Sequence, residues 1–168
     1  MAFFRLEDLN RLDWSLLQNG FINLYWRTSY LDEDVQKLEE LNYRIVRFDC
    51  SLWKTTHECA ADFSSKLNIQ WNGNSLDALN DHLAVIDIPF ESGLVLVFSK
   101  YDLFHKIEPK TSWQIIDILA SNGRLHLLFG KRLISMVQVD EPTLTFQPVG
   151  AQTVGWNPRE WLDKSRGL

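Results

Sequence analysis

Two aspartates stand four residues apart in WNGNSLDALNDHLAVI (71–86), at Asp77 and Asp81. Wound at about 100° per residue, Leu76, Leu79, Leu83 and Ile86 fall within roughly 80° of one another and form a core stripe. Asp77 and Asp81 then fall on the opposite side, with Asn80 flanking them, and point at solvent. Such a like-charge pair costs a helix about 0.2–0.5 kcal/mol. Part of that is offset at Asp77, because free N–H groups in the first turn favour an acid. With Asn74 as N-cap, Asp77 takes the capping-box position. The turn before the helix, Asn72-Gly73-Asn74, presents backbone groups, and Trp71 reads as an exposed aromatic beside the acids. An acidic ridge with an aromatic anchor is the chemistry of a protein-binding surface; a solvated helix face with a capping acid is the plainer reading.

The other candidate groups carry less. His57, Glu58 and Cys59 are adjacent on an expected helix, where neighbouring side chains point apart, whereas structural zinc needs four convergent ligands. Asp102, His105 and Glu108 lie near a strand end, where active sites gather, but no serine or cysteine nucleophile adjoins them in sequence. There is no Gly-x-Ser-x-Gly, P-loop or Gly-x-Gly-x-x-Gly. No catalytic residues, no metal and no cofactor are expected.

The elements that must position these groups can be read from periodicity. RLEDLNRLDWSLLQNG (5–20) reads as short helical turns ending at Gly20. FINLYWR (21–27) is a strand, LDEDVQKLEELN (31–42) a helix capped near Asn42, and YRIVRFDCS (43–51) a second strand. Strand, helix and strand at this spacing make a βαβ unit with parallel strands. TTHECAADFSSKLN (55–68) opens with the capping-box pair Thr55 and Glu58 and lines Cys59, Phe63 and Leu67 on one face. GLVLVFSKYDLF (93–104) is a continuous apolar run typical of a buried parallel strand. KTSWQIIDILASNG (110–123) reads as a helix with Trp113, Ile116 and Leu119 or Ala120 inward, closed by Asn122-Gly123. RLHLLFG (124–130) follows as a fourth strand. LISMVQVDEPTLTFQPVG (133–150) reads as an antiparallel β-hairpin, and WNPREWL (156–162) as a last helix with Asn157 as N-cap and Glu160 closing a capping box. The expected fold is α/β, with a mainly parallel sheet of about four strands.

The 168 residues are 45% apolar and 23% charged, a globular composition read as one domain. Seven tryptophans make the chain tryptophan-rich. A net charge of −5 disfavours direct nucleic-acid binding and suits a basic partner. Two cysteines give no disulfide framework and fit buried thiols in a reducing compartment. MAFFRLEDLNRLDW (1–14) carries acids among its apolar residues and has no signal-peptide core, and no apolar run reaches membrane-span length. A cytoplasmic protein with no membrane contact is therefore expected.

WNGNSLDALNDHL, after a strand and the helix HECAADFSSKLNI, resembles the barstar family, intracellular inhibitors of barnase-type ribonucleases. Trp71, Asn72, Gly73, Asn74, Ser75, Leu76, Asp77, Ala78, Leu79, Asn80, Asp81, His82 and Leu83 stand in the places of the family motif. The core resemblance spans about residues 43–129. The flanks, 1–42 with an extra strand-helix unit and 130–168 ending in the expected hairpin and helix, look like a longer bacterial branch of barstar-like proteins.

The resemblance implies a barstar-like core and a mechanism in which the acidic helix and the loop before it plug a ribonuclease active site in place of RNA phosphates. By carry-over, Asp81 is the deepest plug, Asp77 a second charge, and Trp71 takes the place of a contacting tyrosine. The partner implied is a basic ribonuclease or nuclease toxin. The chain departs from the family at Asn80, where founding members carry tryptophan, and at His82, where they carry a small residue. It departs again near Ile118, where they carry a further acid; Asp117 stands beside it. These departures point to a target other than barnase. The alternative is an interaction module that keeps the scaffold but inhibits no nuclease.

Overall fold

The computed structural model describes residues 6–150 and 152–168, with side chains from residue 8 onward. Arg5, where the first expected helical stretch begins, lies outside the described residues. Helices α1 (Leu12–Gln18), α2 (Thr28–Glu40), α3 (Thr56–Leu67), α4 (Leu76–Ala84), α5 (Tyr101–Ile107) and α6 (Pro109–Leu128) alternate with strands. The strands are β1 (Ile22–Tyr25), β2 (Arg44–Asp49), β3 (Leu94–Ser99), β4 (Leu133–Gln138) and β5 (Gly155–Trp156).

All five strands are parallel, in the order β2-β3-β4-β1-β5. The α/β class with a parallel sheet is thus as the sequence implies. The apolar runs of β3 and β4 place them centrally, and both are buried nearly throughout. β2 is an edge strand: Val46 and Phe48 are buried while Arg44, Arg47 and Asp49 face water, charges that discourage pairing with another chain. β1 and β2 are parallel but separated by two strands. Crossovers are right-handed. The step from β1 to β2 runs across the sheet opposite to the steps from β2 to β3 and β3 to β4. α2 therefore lies on one face, and α3 to α6 on the other.

The local signals for α3 hold. Thr55 accepts from Glu58 N at 3.2 Å, and the Glu58 carboxylate accepts from Thr55 N at 2.9 Å. Cys59, Phe63 and Leu67 are buried. Gly20 and Asn42 follow α1 and α2 with positive φ, 118° and 62°, as helix stops do. Cys50 and Cys59 are free and buried, and burial pushes both thiols up.

Three expectations fail. First, the run 93–104 is not one strand: β3 stops at Ser99, Lys100 turns at φ 55°, and α5 begins at Tyr101. Second, α6 does not end at Asn122-Gly123 but continues to Leu128, and no strand forms over 124–130. Gly123 is there for close approach, since a Cβ would lie 2.8 Å from the Phe21 ring. Trp113 is half-exposed rather than inward; Ile115, Ile116, Leu119 and Ala120 face the core.

Third, residues 133–150 do not make an antiparallel hairpin. β4 is the central parallel strand, and the chain then turns at Glu141 and adds no further strand to the sheet up to Gly150. The expected short C-terminal helix does form in WNPREWL, as the 3₁₀ helix Pro158–Glu160. Asn157 caps it, accepting from Arg159 N at 3.1 Å. Glu160 closes no capping box; its buried carboxylate accepts from Trp26 N at 2.9 Å and Arg27 N at 3.0 Å, tying the C-terminal segment to the end of β1. Among the described residues no helix is long and apolar enough to cross a membrane.

Candidate functional site

α4 is short, so its stability comes from packing rather than propensity. Leu79 and Leu83 are wholly buried and Ile86 nearly so, as the stripe requires; Leu76 is partly buried. Asp77, Asn80 and Asp81 are on the exposed face. The N-cap is Ser75, not Asn74, so Asp77 sits one residue short of the capping-box position, and no side chain caps the helix. Neither Asp77 nor Asp81 has a hydrogen-bond or ion-pair partner among the described residues. Their charges are left for whatever comes to this surface.

The loop before α4 is fixed by a set of short bonds. Trp71 is not exposed, as its place beside a glycine turn suggests, but buried at 3%. Its ring meets Phe63 edge-on at 5.6 Å and its Nε1 donates to Ser75 O at 2.7 Å. Ser64 Oγ donates to Trp71 O at 2.6 Å and accepts from Trp71 N at 3.1 Å. Trp71 is therefore an internal peg that sets where α4 begins, and its indole is not available as an anchor for a partner. Asn72 Oδ1 accepts from Asn74 N at 3.0 Å, an Asx turn. Asn74 Oδ1 pairs with His57 Nε2 at 3.2 Å. Gly73 needs to be glycine twice over: its φ is 85°, and a Cβ would lie 3.1 Å from Thr56 O.

α4 is held from its other side by α6. Asn122 Nδ2 donates to Asn80 Oδ1 at 2.9 Å and to Ile118 O at 2.9 Å. His126 Nε2 donates to Leu83 O at 2.7 Å. His82 Nε2 donates to Gln70 O at 2.9 Å. Asn122 and His126 were hidden in the sequence by the apparent helix end at 122–123. The signal was present, because positions 115/116, 119, 122/123 and 126 keep the helical spacing once small and polar residues are allowed inward. Beside the acids a groove of about 450 Å³ runs between Gly73–Asp77, Thr56 of α3, and Thr111 and Gln114 of α6. Ile118 supplies no acid, and Asp117 is occupied: its Oδ1 accepts from Gly150 N at 2.7 Å.

The remaining candidates do not converge. His57 turns to Asn74, Glu58 caps α3 and Cys59 is in the core. Among the described residues no three His, Cys, Asp or Glu side chains are grouped to hold a metal ion. Asp102 accepts from Asp140 N at 3.1 Å, while His105 Nδ1 pairs with Ser112 Oγ at 2.6 Å.

The site is thus an exposed acid pair on a helix fastened at both ends, with a polar groove alongside. The family model for Barstar (barnase inhibitor) matches residues 43–126, a span that includes β2, α3, the Trp71 loop, α4, β3 and most of α6. No curated protein and no solved structure matches the chain. The match covers half of the 168 residues and contains the whole acidic helix with its supports, and the chain belongs to the barstar family.

Proposed function

We propose that this protein is an immunity-type inhibitor of a ribonuclease, acting in the cytoplasm of a bacterium and closing the enzyme's active site with α4. The observation that carries the reading is the pair Asp77 and Asp81, exposed and, among the described residues, unpartnered on a helix whose two ends are pinned. A ribonuclease site binds a polyanion, so it presents cations where phosphates sit. Carboxylates already fixed in place meet those cations with little ordering cost. The charge of −5 favours rapid, salt-sensitive encounter with a basic enzyme. Asp77 and Asp81 are the contact residues of this reading, with Asn72, Gly73 and Asn74 at the rim and Asn80 flanking the acids.

The test uses purified barnase-type ribonucleases. Asp81→Lys is expected to weaken inhibition by roughly 30- to 5,000-fold, the range for breaking a buried charge pair at an interface, with an unchanged melting curve. Inhibition unaffected by that substitution rules the reading out. The alternative, a non-inhibitory interaction module, draws on Asn80 being tied to Asn122 and on the absence of an acid at Ile118. It predicts binding through the same face without loss of nuclease activity.

A further inference from the structure

With Trp71 buried, the acidic face has no aromatic of its own to anchor a partner. An aromatic concavity lies across the first turns of α6. It is a cleft of about 460 Å³ between α6 and the segment after β4, walled by His105, Pro109, Trp113 and Phe146 with Lys110 at its rim. Its walls are set. Phe146 packs against His105 at 4.9 Å and Tyr101 at 6.3 Å between centroids. Trp113 Nε1 donates to Gln147 O at 3.3 Å, and the Asp117–Gly150 bond holds the far end of the same segment. His105 spends Nδ1 on Ser112, and burial lowers its pKa, which keeps the ring neutral near pH 7.

This cleft and the groove beside Asp77 share one helix. Lys110 and Trp113 line the first, and their chain neighbours Thr111 and Gln114 line the second. A helix with its side chains is about 10–12 Å across. A standard interface covers about 800 Å² on each partner, a patch some 30 Å wide. A protein seated on Asp77 and Asp81 with that footprint reaches over α6 to the cleft.

We propose that the cleft receives a protruding aromatic side chain of the same partner that covers Asp77 and Asp81, making Trp113 and Phe146 a second, apolar anchor point. The partner identity rests on the inhibitor reading; the chemistry of the occupant rests on the cleft. Stacked and edge-on contacts with Trp113 and Phe146 select a ring. The Lys110 ammonium selects a ring flanked by neutral or acidic residues, in contrast to the cations demanded by α4. The partner surface is thus basic over one half and aromatic over the other.

Two measurements test this on the full chain. In the first, the labelled protein is titrated with N-acetyl-L-tryptophanamide and followed by NMR. Saturable shifts are expected at the Trp113 indole and the His105 and Lys110 amides, and their loss is expected in Phe146→Ala. No saturable shift at these positions overturns the inference. In the second, affinity for barnase-type ribonucleases is compared between wild type, Asp81→Lys and Trp113→Ala. Trp113→Ala is expected to weaken binding at least about tenfold, as an interface anchor does. If Asp81→Lys abolishes binding and Trp113→Ala leaves it unchanged, the anchor is overturned and the inhibitor reading stands. If the wild type binds none of the enzymes, the inhibitor reading falls and the titration alone decides whether the cleft takes an aromatic ring.

Discussion

The acids of this protein divide into two kinds. Around the first helix and the C-terminal turn they are enclosed. Asp13 is wholly buried and accepts from Arg11 Nη2 at 2.8 Å, Tyr43 Oη at 2.7 Å and Arg132 Nη1 at 3.4 Å. Glu160 is equally buried, and its carboxylate satisfies the two backbone N–H groups that lead into α2. Around α4 the acids are bare: among the described residues Asp77 and Asp81 have no partner, while other side chains near them, Trp71, Asn74, Asn80 and His82, make the bonds. In the first region charge holds the fold. In the second, other side chains hold the fold and the carboxylate charge is turned outward.

Substitutions can break or sharpen this contrast. The largest effect is expected from Asp13→Ala, which leaves Arg132 buried without its carboxylate. A loss of about 3–5 kcal/mol is expected in urea unfolding; a loss below about 1 kcal/mol contradicts the structural role. Glu160→Gln comes next, because it removes charge from two accepted backbone bonds and from the Asn157 contact. It is expected to cost about 1.5–3 kcal/mol, with amide exchange of Trp26 and Arg27 accelerated.

Asn122→Ala is expected to cost about 1–2 kcal/mol, and to speed amide exchange in α4 more than in α3. Equal acceleration in both helices would mean that Asn122 supports the fold at large rather than the acidic helix. The smallest effect has the opposite sign. Asp77→Asn or Asp81→Asn removes a like-charge pair and is expected to leave stability unchanged or raise it by about 0.2–0.5 kcal/mol in chemical denaturation. A clear loss would show that one of these acids does have a structural duty.

Much of the architecture was legible in the sequence because it is encoded by local repetition. The capping box of α3, the apolar stripe of α4, the alternation of β2 and the burial of Cys50 and Cys59 all depend on neighbours a few residues away. The acid pair itself was legible for the same reason. What could not be read depends on distant contacts. RLHLLFG has the composition of a strand, yet residues 124–128 continue the helix because Gly123 lets α6 settle on the Phe21 ring. β4 looks like half of a hairpin and is instead drawn between β3 and β1. Trp71 beside a glycine turn has no local mark of burial; its pocket is made by Phe63 and Ser64 one helix earlier. Asn80 reads as a surface residue until Asn122, from another helix, is seen to hold it.

The strand order has a consequence for synthesis. β1 leaves the ribosome well before its partners β4 and β5, so Ile22 waits for Ser135 and Asn23 for Gly155. The stretch between β2 and β3, which contains α4, closes within itself much sooner. Pairings between remote segments form late, whereas near ones form early. The acidic face is therefore expected to be assembled on the nascent chain while the opposite edge of the sheet still stands open, so that recognition matures before the molecule is sealed.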